Sequence, residues 1–375
     1  MADAEIAYLN HAGTSWPKPP SVQQAVAAAQ QMSPLLWSAM LEESHEAVSE
    51  FFHVSPSRLL LTPSCTAALG IAMQDHPWQE GDCIITSHFE HHALHRHLIR
   101  LADQGVTVHV LSPTAESLID LTELESVLKS RTVRLVAMTA ACNVTGALLP
   151  MEDVIRLAHD YGSQVLVDGA QIAGWWDLDL KTLGADLFTF AGHKGLQSPW
   201  GLGGLYVSDQ MPMKCSEAVC EQTPEPPTRK TDNMPGYCDV GSVNLNAVAG
   251  LAAACWWLNE PAQRDRLTRA RKLARQLADL LRPLEGVRLL HDMDEDRRMP
   301  AVAIAIAGQP SALIAHRLKQ FSVVASGGFH CAPQAHHALQ TSEYGAVRFS
   351  FGPSSTFGDV ERAAAAMQEI LSAAD

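Results

Sequence analysis

Short apolar runs alternate with amphipathic, helix-length stretches from about residue 59 to residue 207, and this alternation narrows the possible folds more than any other feature. The runs are Leu59–Leu61, Cys83–Thr86, Val106–Val110, Val133–Met138, Val165–Val167, Leu187–Phe190 and Gly204–Val207. Helical patterns such as Leu121–Lys129 and Met151–Tyr161 lie between them. An α/β chain of this kind places its strands in one mainly parallel, seven-stranded sheet with helices on both faces.

The pattern changes after residue 207. Met211–Tyr237 holds Pro212, Pro224, Pro226, Pro227 and Pro235 among charges, so a long surface loop is expected there. Helical pattern resumes near Leu245 and runs through Arg264–Arg282. Strands are expected at Ala301–Ile306 and Val347–Phe351, with a last helix at Val360–Ser372. The expected division is a large domain over 15–250 and a smaller α+β domain from 1–14 with 251–375.

Composition removes several function classes. Apolar residues make up 47% of 375, which excludes a disordered chain. Lys plus Arg is 27 against 41 for Asp plus Glu, a formal net charge of −14. So acidic a chain is not expected to take nucleic acid or an anionic membrane as its partner. No apolar run reaches the ~18 residues of a membrane-spanning helix. The first residues lack the basic flank and apolar core of a secretion signal, and the eight cysteines show no Cys-x-x-Cys pair. Both features lead to the expectation of a cytoplasmic protein with reduced thiols.

In open α/β sheets, ligands bind beyond the carboxyl ends of the strands. Two runs carry suggestive residues there. Gln164–Val167 ends in Asp168-Gly169-Ala170-Gln171, and Phe188–Phe190 ends in Ala191-Gly192-His193-Lys194. An amine and a carboxylate on neighbouring strand ends are what pyridoxal 5'-phosphate (PLP) requires. The lysine forms a Schiff base with its aldehyde, and the acid keeps its pyridine nitrogen protonated. A third run leads into Ser64-Cys65-Thr66, where free backbone N–H groups at a helix start suit a phosphate or serve as an ordinary cap. Ser87-His88-Phe89-Glu90-His91-His92-Ala93 follows another strand. A flat imidazole there could stack on a pyridine ring. His91 and His95 also have the i, i+4 spacing of a zinc pair, but no adjacent acid completes a known metal set, so no metal site is expected.

Taken in order, these segments resemble the class V aminotransferase family and, within it, the cysteine desulfurases and selenocysteine lyases. The resemblance is carried by Tyr8–Pro19, Thr62–Thr66, Glu90–Ala93, Asn143-Val144-Thr145-Gly146, Asp168–Gln171, Gly192-His193-Lys194-Gly195, Gly201–Tyr206, Gly241–Asn244 and Arg348–Gly352. It implies the type I fold of PLP-dependent transferases, a homodimer, and a role for each matched residue. Lys194 would carry the Schiff base and shuttle the α-proton. Asp168 would pair with the pyridine nitrogen, Gln171 with the phenolic oxygen, and His91 would stack on the ring. Cys65, Thr66 and His193 would hold the phosphate, with Ser242 reaching in from the second subunit. Asn143 and Arg348 would bind the substrate carboxylate, a task for which a planar guanidinium is suited.

Cys331, in Ser326-Gly327-Gly328-Phe329-His330-Cys331-Ala332-Pro333, resembles the nucleophile of desulfurases with a short catalytic loop. It implies removal of sulfur from L-cysteine, leaving L-alanine and a persulfide for a sulfur-acceptor protein. Nearby positive charge would favour the thiolate, and His330, His336 and His337 are the candidate neighbours. The chain departs from the family pattern at Ala191, where Ser or Thr is usual, at Ala67, at Asn10-His11 and over residues 30–43. Trp175 and Trp176 are expected to pack, while Trp200 is left open. A carbon–sulfur lyase, selenocysteine lyase, epimerase or aminotransferase remains the alternative, with a non-catalytic partner-binding relative behind it.

Overall fold

The computed structural model describes residues 6–114, 117–211, 243–291 and 297–373. Its strands are β1 (Ala7–Tyr8), β2 (Leu59–Thr62), β3 (Cys83–Ser87), β4 (Thr107–Leu111), β5 (Val133–Thr139), β6 (Gln164–Asp168) and β7 (Leu187–Ala191). They continue with β8 (Gly203–Val207), β9 (Val287–Leu289), β10 (Ala301–Ile306), β11 (Val323–Val324), β12 (Ser326–Gly328) and β13 (Ala346–Ser350). Seven form one sheet in the order β2-β8-β7-β6-β5-β3-β4. Only β8 runs against the others.

The predicted runs became strands because both faces of this sheet are covered, so nearly every side chain in a central strand is apolar. Successive residues point to opposite faces. Val165 and Val167 of β6 enter one core with Val136 and Phe188, while Leu166 enters the other with Leu135 and Leu187. Each such side chain contributes about 1.5–3 kcal/mol on burial. β4 is the edge strand, and its Thr107 and Val110 are exposed.

A second, antiparallel sheet has the order β12-β13-β10-β9. The chain start joins this part of the molecule: β1 pairs in parallel with β11, and Asn10 bridges to Ser350. The helix Leu245–Asn259 runs across residue 250 and packs on the helices Pro20–Gln31 and Trp37–Phe51. Two of the bulky tryptophans are packing residues, since Trp175 is buried in the main core and Trp176 lies against it.

This topology positions the site. The carboxyl ends of β2, β3, β5, β6 and β7 share one sheet edge. β13 and the loop after β12 face that edge from the second sheet, bringing Arg348 and Cys331 to it.

Candidate active site

Lys194 follows β7 in a tightly held turn. Gly192 N–H donates to Leu202 O at 3.0 Å, and Ser198 N–H donates to Gly192 O at 2.9 Å. The His193 carbonyl accepts from Ser15 N–H (2.9 Å), Ser15 Oγ (3.1 Å), Thr14 Oγ1 (3.2 Å) and Lys18 Nζ (2.9 Å). The peptide bond before Lys194 is thus fixed by a segment from the far end of the chain. Burial lowers the Lys194 pKa and the Asp168 carboxylate opposes that shift. Asp168 ends β6, where its Oδ1 accepts from Ala170 N–H at 3.0 Å and from the Cys65 thiol at 3.6 Å.

The helix Cys65–Gln74 begins beside these two residues and is capped by Ser64, whose Oγ accepts from Ala67 N–H at 3.1 Å. A Cβ on Gly203 would lie 2.4 Å from Cys65 N and 2.6 Å from Phe190 O. Only glycine lets β8 pass so close to the start of that helix. The Cys65 thiol turns into the sheet, 3.5 Å from Thr189 Oγ1, and burial together with Asp168 raises its pKa well above the ordinary thiol value. Thr66 is exposed at the helix start.

His91 caps the next helix, His92–Asp103, with Nδ1 accepting from Ala93 N–H at 3.1 Å. Burial, helped by the Lys194 ammonium, lowers its pKa to about 4. His193 stacks on Trp200, ring centroids 4.6 Å apart, and burial lowers it to about 4 as well. Both rings are therefore neutral at pH 7. Trp200 is 66% exposed and stands on the rim of the site.

Arg348 projects from β13, is buried, and donates to Asn143 O and, at 3.1 Å, to Asn10 Oδ1. Burial lowers its pKa to about 10, which leaves it charged at neutral pH. Asn143 Nδ2 donates to His330 O at 2.6 Å, and His92 N–H donates to Cys331 O at 2.8 Å. These two bonds moor the loop that carries Cys331 while its side chain stays exposed. His330 and Cys331 both have left-handed backbone angles, φ 49° and 55°. The expectation that histidines supply positive charge to this thiol is corrected here. Burial holds His330 down to about 3 and also lowers His336, so both are neutral. Lys194 and Arg348 line the same cavity as Cys331.

One cavity of about 480 Å³ collects these groups. Lys194, Asp168, Gln171 and His91 line it together with Cys65, Thr66 and His193. Asn143, Arg348 and Cys331 line it from the side of the second sheet. Gln171 Nε2 meanwhile donates to Ala12 O at 3.2 Å. Ser242 lies outside the described residues. Asn143 Oδ1, His193 Nδ1 and Arg348 Nε are buried and have no hydrogen-bond partner among the described residues. Unsatisfied atoms of this kind are rare in folded proteins, and here five, counting both ring nitrogens of His330, belong to residues of one cavity. Amine, carboxylate, flat neutral imidazole, open helix start and guanidinium form a donor set that fits PLP bound to an amino acid.

Four contributors carried no predicted role. Asn10 holds Arg348, Lys18 holds the His193 carbonyl, and Trp200 forms part of the rim. Glu90 is fully buried just ahead of His91. Pro17-Lys18-Pro19 and Glu90-His91 are visible as motifs, but His193, which Lys18 holds, and Thr139, which Glu90 holds, lie far away in sequence.

A sequence model of the family described as Aminotransferase class-V matches residues 8–363. A probable cysteine desulfurase of Pseudomonas aeruginosa is 30% identical over 349 residues, covering 88% of this chain and 82% of the relative. An apo structure of a cysteine desulfurase from Thermococcus onnurineus superposes with a TM-score of 0.89 at 25% identity, over 98% of this chain and 95% of that one. The crystal structure of the cysteine desulfurase CsdA from Escherichia coli, in its S-sulfonic acid form, gives a TM-score of 0.87 at 26% identity over the same shares.

Proposed function

The chain belongs to the aminotransferase class-V family, and from that premise we propose that it is a PLP-dependent cysteine desulfurase. It takes sulfur from L-cysteine, releases L-alanine and stores the sulfur as a persulfide on Cys331. The observation that carries this reading is an exposed thiol lining the same cavity as a half-buried lysine and a strand-end carboxylate. Among the described residues, no helix is long and apolar enough to cross a membrane.

When bound, PLP supplies an electron sink for bonds at the amino-acid α-carbon. The residues divide the remaining work. Lys194 Nζ would hold the aldehyde and carry the α-proton of the substrate. Its lowered pKa makes the neutral amine easier to reach. Asp168 would hold the pyridine nitrogen through Oδ2, since Oδ1 already accepts from Ala170 N–H and the Cys65 thiol. Gln171 reaches the phenolic oxygen, and His91 covers the ring without adding charge. The start of the helix Cys65–Gln74, with Thr66 and His193, holds the phosphate. Its contribution from Cys65 is the backbone N–H, because the thiol is turned away. Arg348 and Asn143 would bind the substrate carboxylate, and Arg348 Nε and Asn143 Oδ1 have no hydrogen-bond partner among the described residues. Ser242 from a second subunit completes the phosphate site of a homodimer.

The Cys331 thiolate attacks the substrate sulfur. A sulfur–sulfur bond forms, the carbon–sulfur bond breaks with its electron pair left on the β-carbon, protonation there makes the methyl group, and Lys194 returns the α-proton to complete alanine. An acceptor thiol or acceptor protein then removes the outer sulfur. The test is Cys331→Ala in PLP-loaded protein. Its absorbance should still respond to L-cysteine while persulfide-dependent alanine release is lost. Wild-type turnover in this variant would remove the desulfurase reading.

A further inference from the structure

Glu90 stands where β3, β5 and β6 end side by side, and it is 3% exposed. Ser87 Oγ donates to its Oε1 at 2.5 Å, and Thr139 N–H donates to its Oε2 at 2.8 Å. Both partners are themselves tied down. Ser87 Oγ accepts from Phe89 N–H at 3.1 Å, and Thr139 Oγ1 donates to Ala141 O at 2.9 Å. The side chain thus links the end of β3 to the end of β5, directly ahead of the residue that caps the next helix. Among the described residues it forms no ion pair. The titratable groups that act on it are Asp168 on β6 and Cys142 after β5, and both are acids. Burial, reinforced by Asp168, pushes the Glu90 pKa up to about 8.

We propose that Glu90 is a positioning residue that works as an uncharged carboxylic acid, anchoring the peptide before His91 to the β5 edge so that the imidazole stays over the cavity floor. An ionised carboxylate in its place would stand unpaired and add a second negative charge beside Asp168. An uncharged acid keeps both contacts without that penalty by reversing one of them, its O–H donating to Ser87 Oγ while its other oxygen accepts from Thr139 N–H. A glutamine can reproduce them, with its amide donating to Ser87 Oγ and its oxygen accepting from Thr139 N–H. An alanine can make neither. The inference rests on the proposed function only in assigning His91 and Asp168 to the cofactor.

The experiment compares wild type, Glu90→Gln and Glu90→Ala by PLP titration and by thermal unfolding of cofactor-free protein from pH 5 to pH 8. An acid whose folded pKa lies above its unfolded value loses stability as pH rises between the two. Wild type should therefore lose Tm relative to Glu90→Gln as pH rises from 5 to 8. Glu90→Gln should keep the wild-type absorbance maximum and PLP affinity. Glu90→Ala, if it folds, should bind PLP about tenfold more weakly, the equivalent of two lost hydrogen bonds. Parallel Tm curves for wild type and Glu90→Gln would overturn the proposal. So would PLP binding by Glu90→Gln that is weakened at pH 7, or by Glu90→Ala that is unchanged. Wild-type protein that takes up no PLP would instead sink the proposed function, and the Tm comparison would still decide the state of Glu90.

Discussion

Gly203→Ala tests the claim that β8 and the start of the helix Cys65–Gln74 form a cradle for phosphate. The added Cβ would lie 2.4 Å from Cys65 N and 2.6 Å from both Ser64 C and Phe190 O. All three are backbone atoms, so no side-chain rotation can relieve the contact. Ordinary van der Waals contact begins near 3.4 Å, so strand and helix must separate by about 1 Å. Overpacking of this kind costs about 1–3 kcal/mol. The displacement falls on the N–H groups that the phosphate needs, so the same energy should weaken PLP binding by about 5- to 150-fold. Gly70→Ala is the control on the same helix. Its Cβ meets nothing closer than 3.7 Å, so it should be neutral or stabilise by up to about 1 kcal/mol. The assay is absorbance titration of cofactor-free protein with PLP, paired with thermal unfolding. Wild-type affinity in Gly203→Ala would refute the cradle.

Other parts of the site give sharper chemical expectations. Arg348→Lys keeps the charge but loses the planar fork and its hold on Asn10, so KM for L-cysteine should rise about 10- to 100-fold with PLP absorbance retained. An unchanged KM would contradict the carboxylate role. Burial holds His11 and His330 at about 3, below the ordinary histidine value of 6.5. The unfolded chain accepts protons below pH 6.5 that the folded one refuses, so stability is present above 6.5 and is lost as pH falls toward 3. One pH unit below 6.5 costs about 1.4 kcal/mol for each of the two. Thermal unfolding from pH 7.5 to 5 should show this, with a shallower fall in His330→Asn, and equal slopes would contradict it. Asn143→Ala frees the His330 carbonyl that moors the Cys331 loop, so it should slow alanine release while leaving PLP affinity within about threefold of wild type. Release at the wild-type rate would show that the mooring does not matter.

The large sheet was legible because its strands are buried on both faces, and an unbroken apolar run such as Val165–Val167 has few other uses. The expected run Val106–Val110 lies one residue early against β4, Thr107–Leu111, an edge strand whose Thr107 and Val110 face solvent. The single antiparallel strand, β8, had no local signature, since Gly203–Val207 is as apolar as its parallel neighbours. Lys194, Asp168 and His91 could be found because each ends an apolar run. Other features depend on groups distant in sequence. Arg348 meets Asn10 and Asn143 across more than 200 residues. Protonation was the least legible property. His330 looked like a cation beside Cys331, yet enclosure makes it neutral. Glu90 stood in a motif with no role read for it, and its burial depends on β5 and β6, which lie far along the chain.

The central claim is that sulfur passes from L-cysteine to one side chain. PLP-loaded protein is mixed with L-cysteine in the absence of reductant, alkylated, digested, and its cysteine-containing peptides are weighed. The account predicts one added sulfur atom on the peptide containing Cys331 and none on those containing Cys65 or Cys142. Added sulfur on another cysteine, or alanine released with no sulfur retained at Cys331, would contradict it.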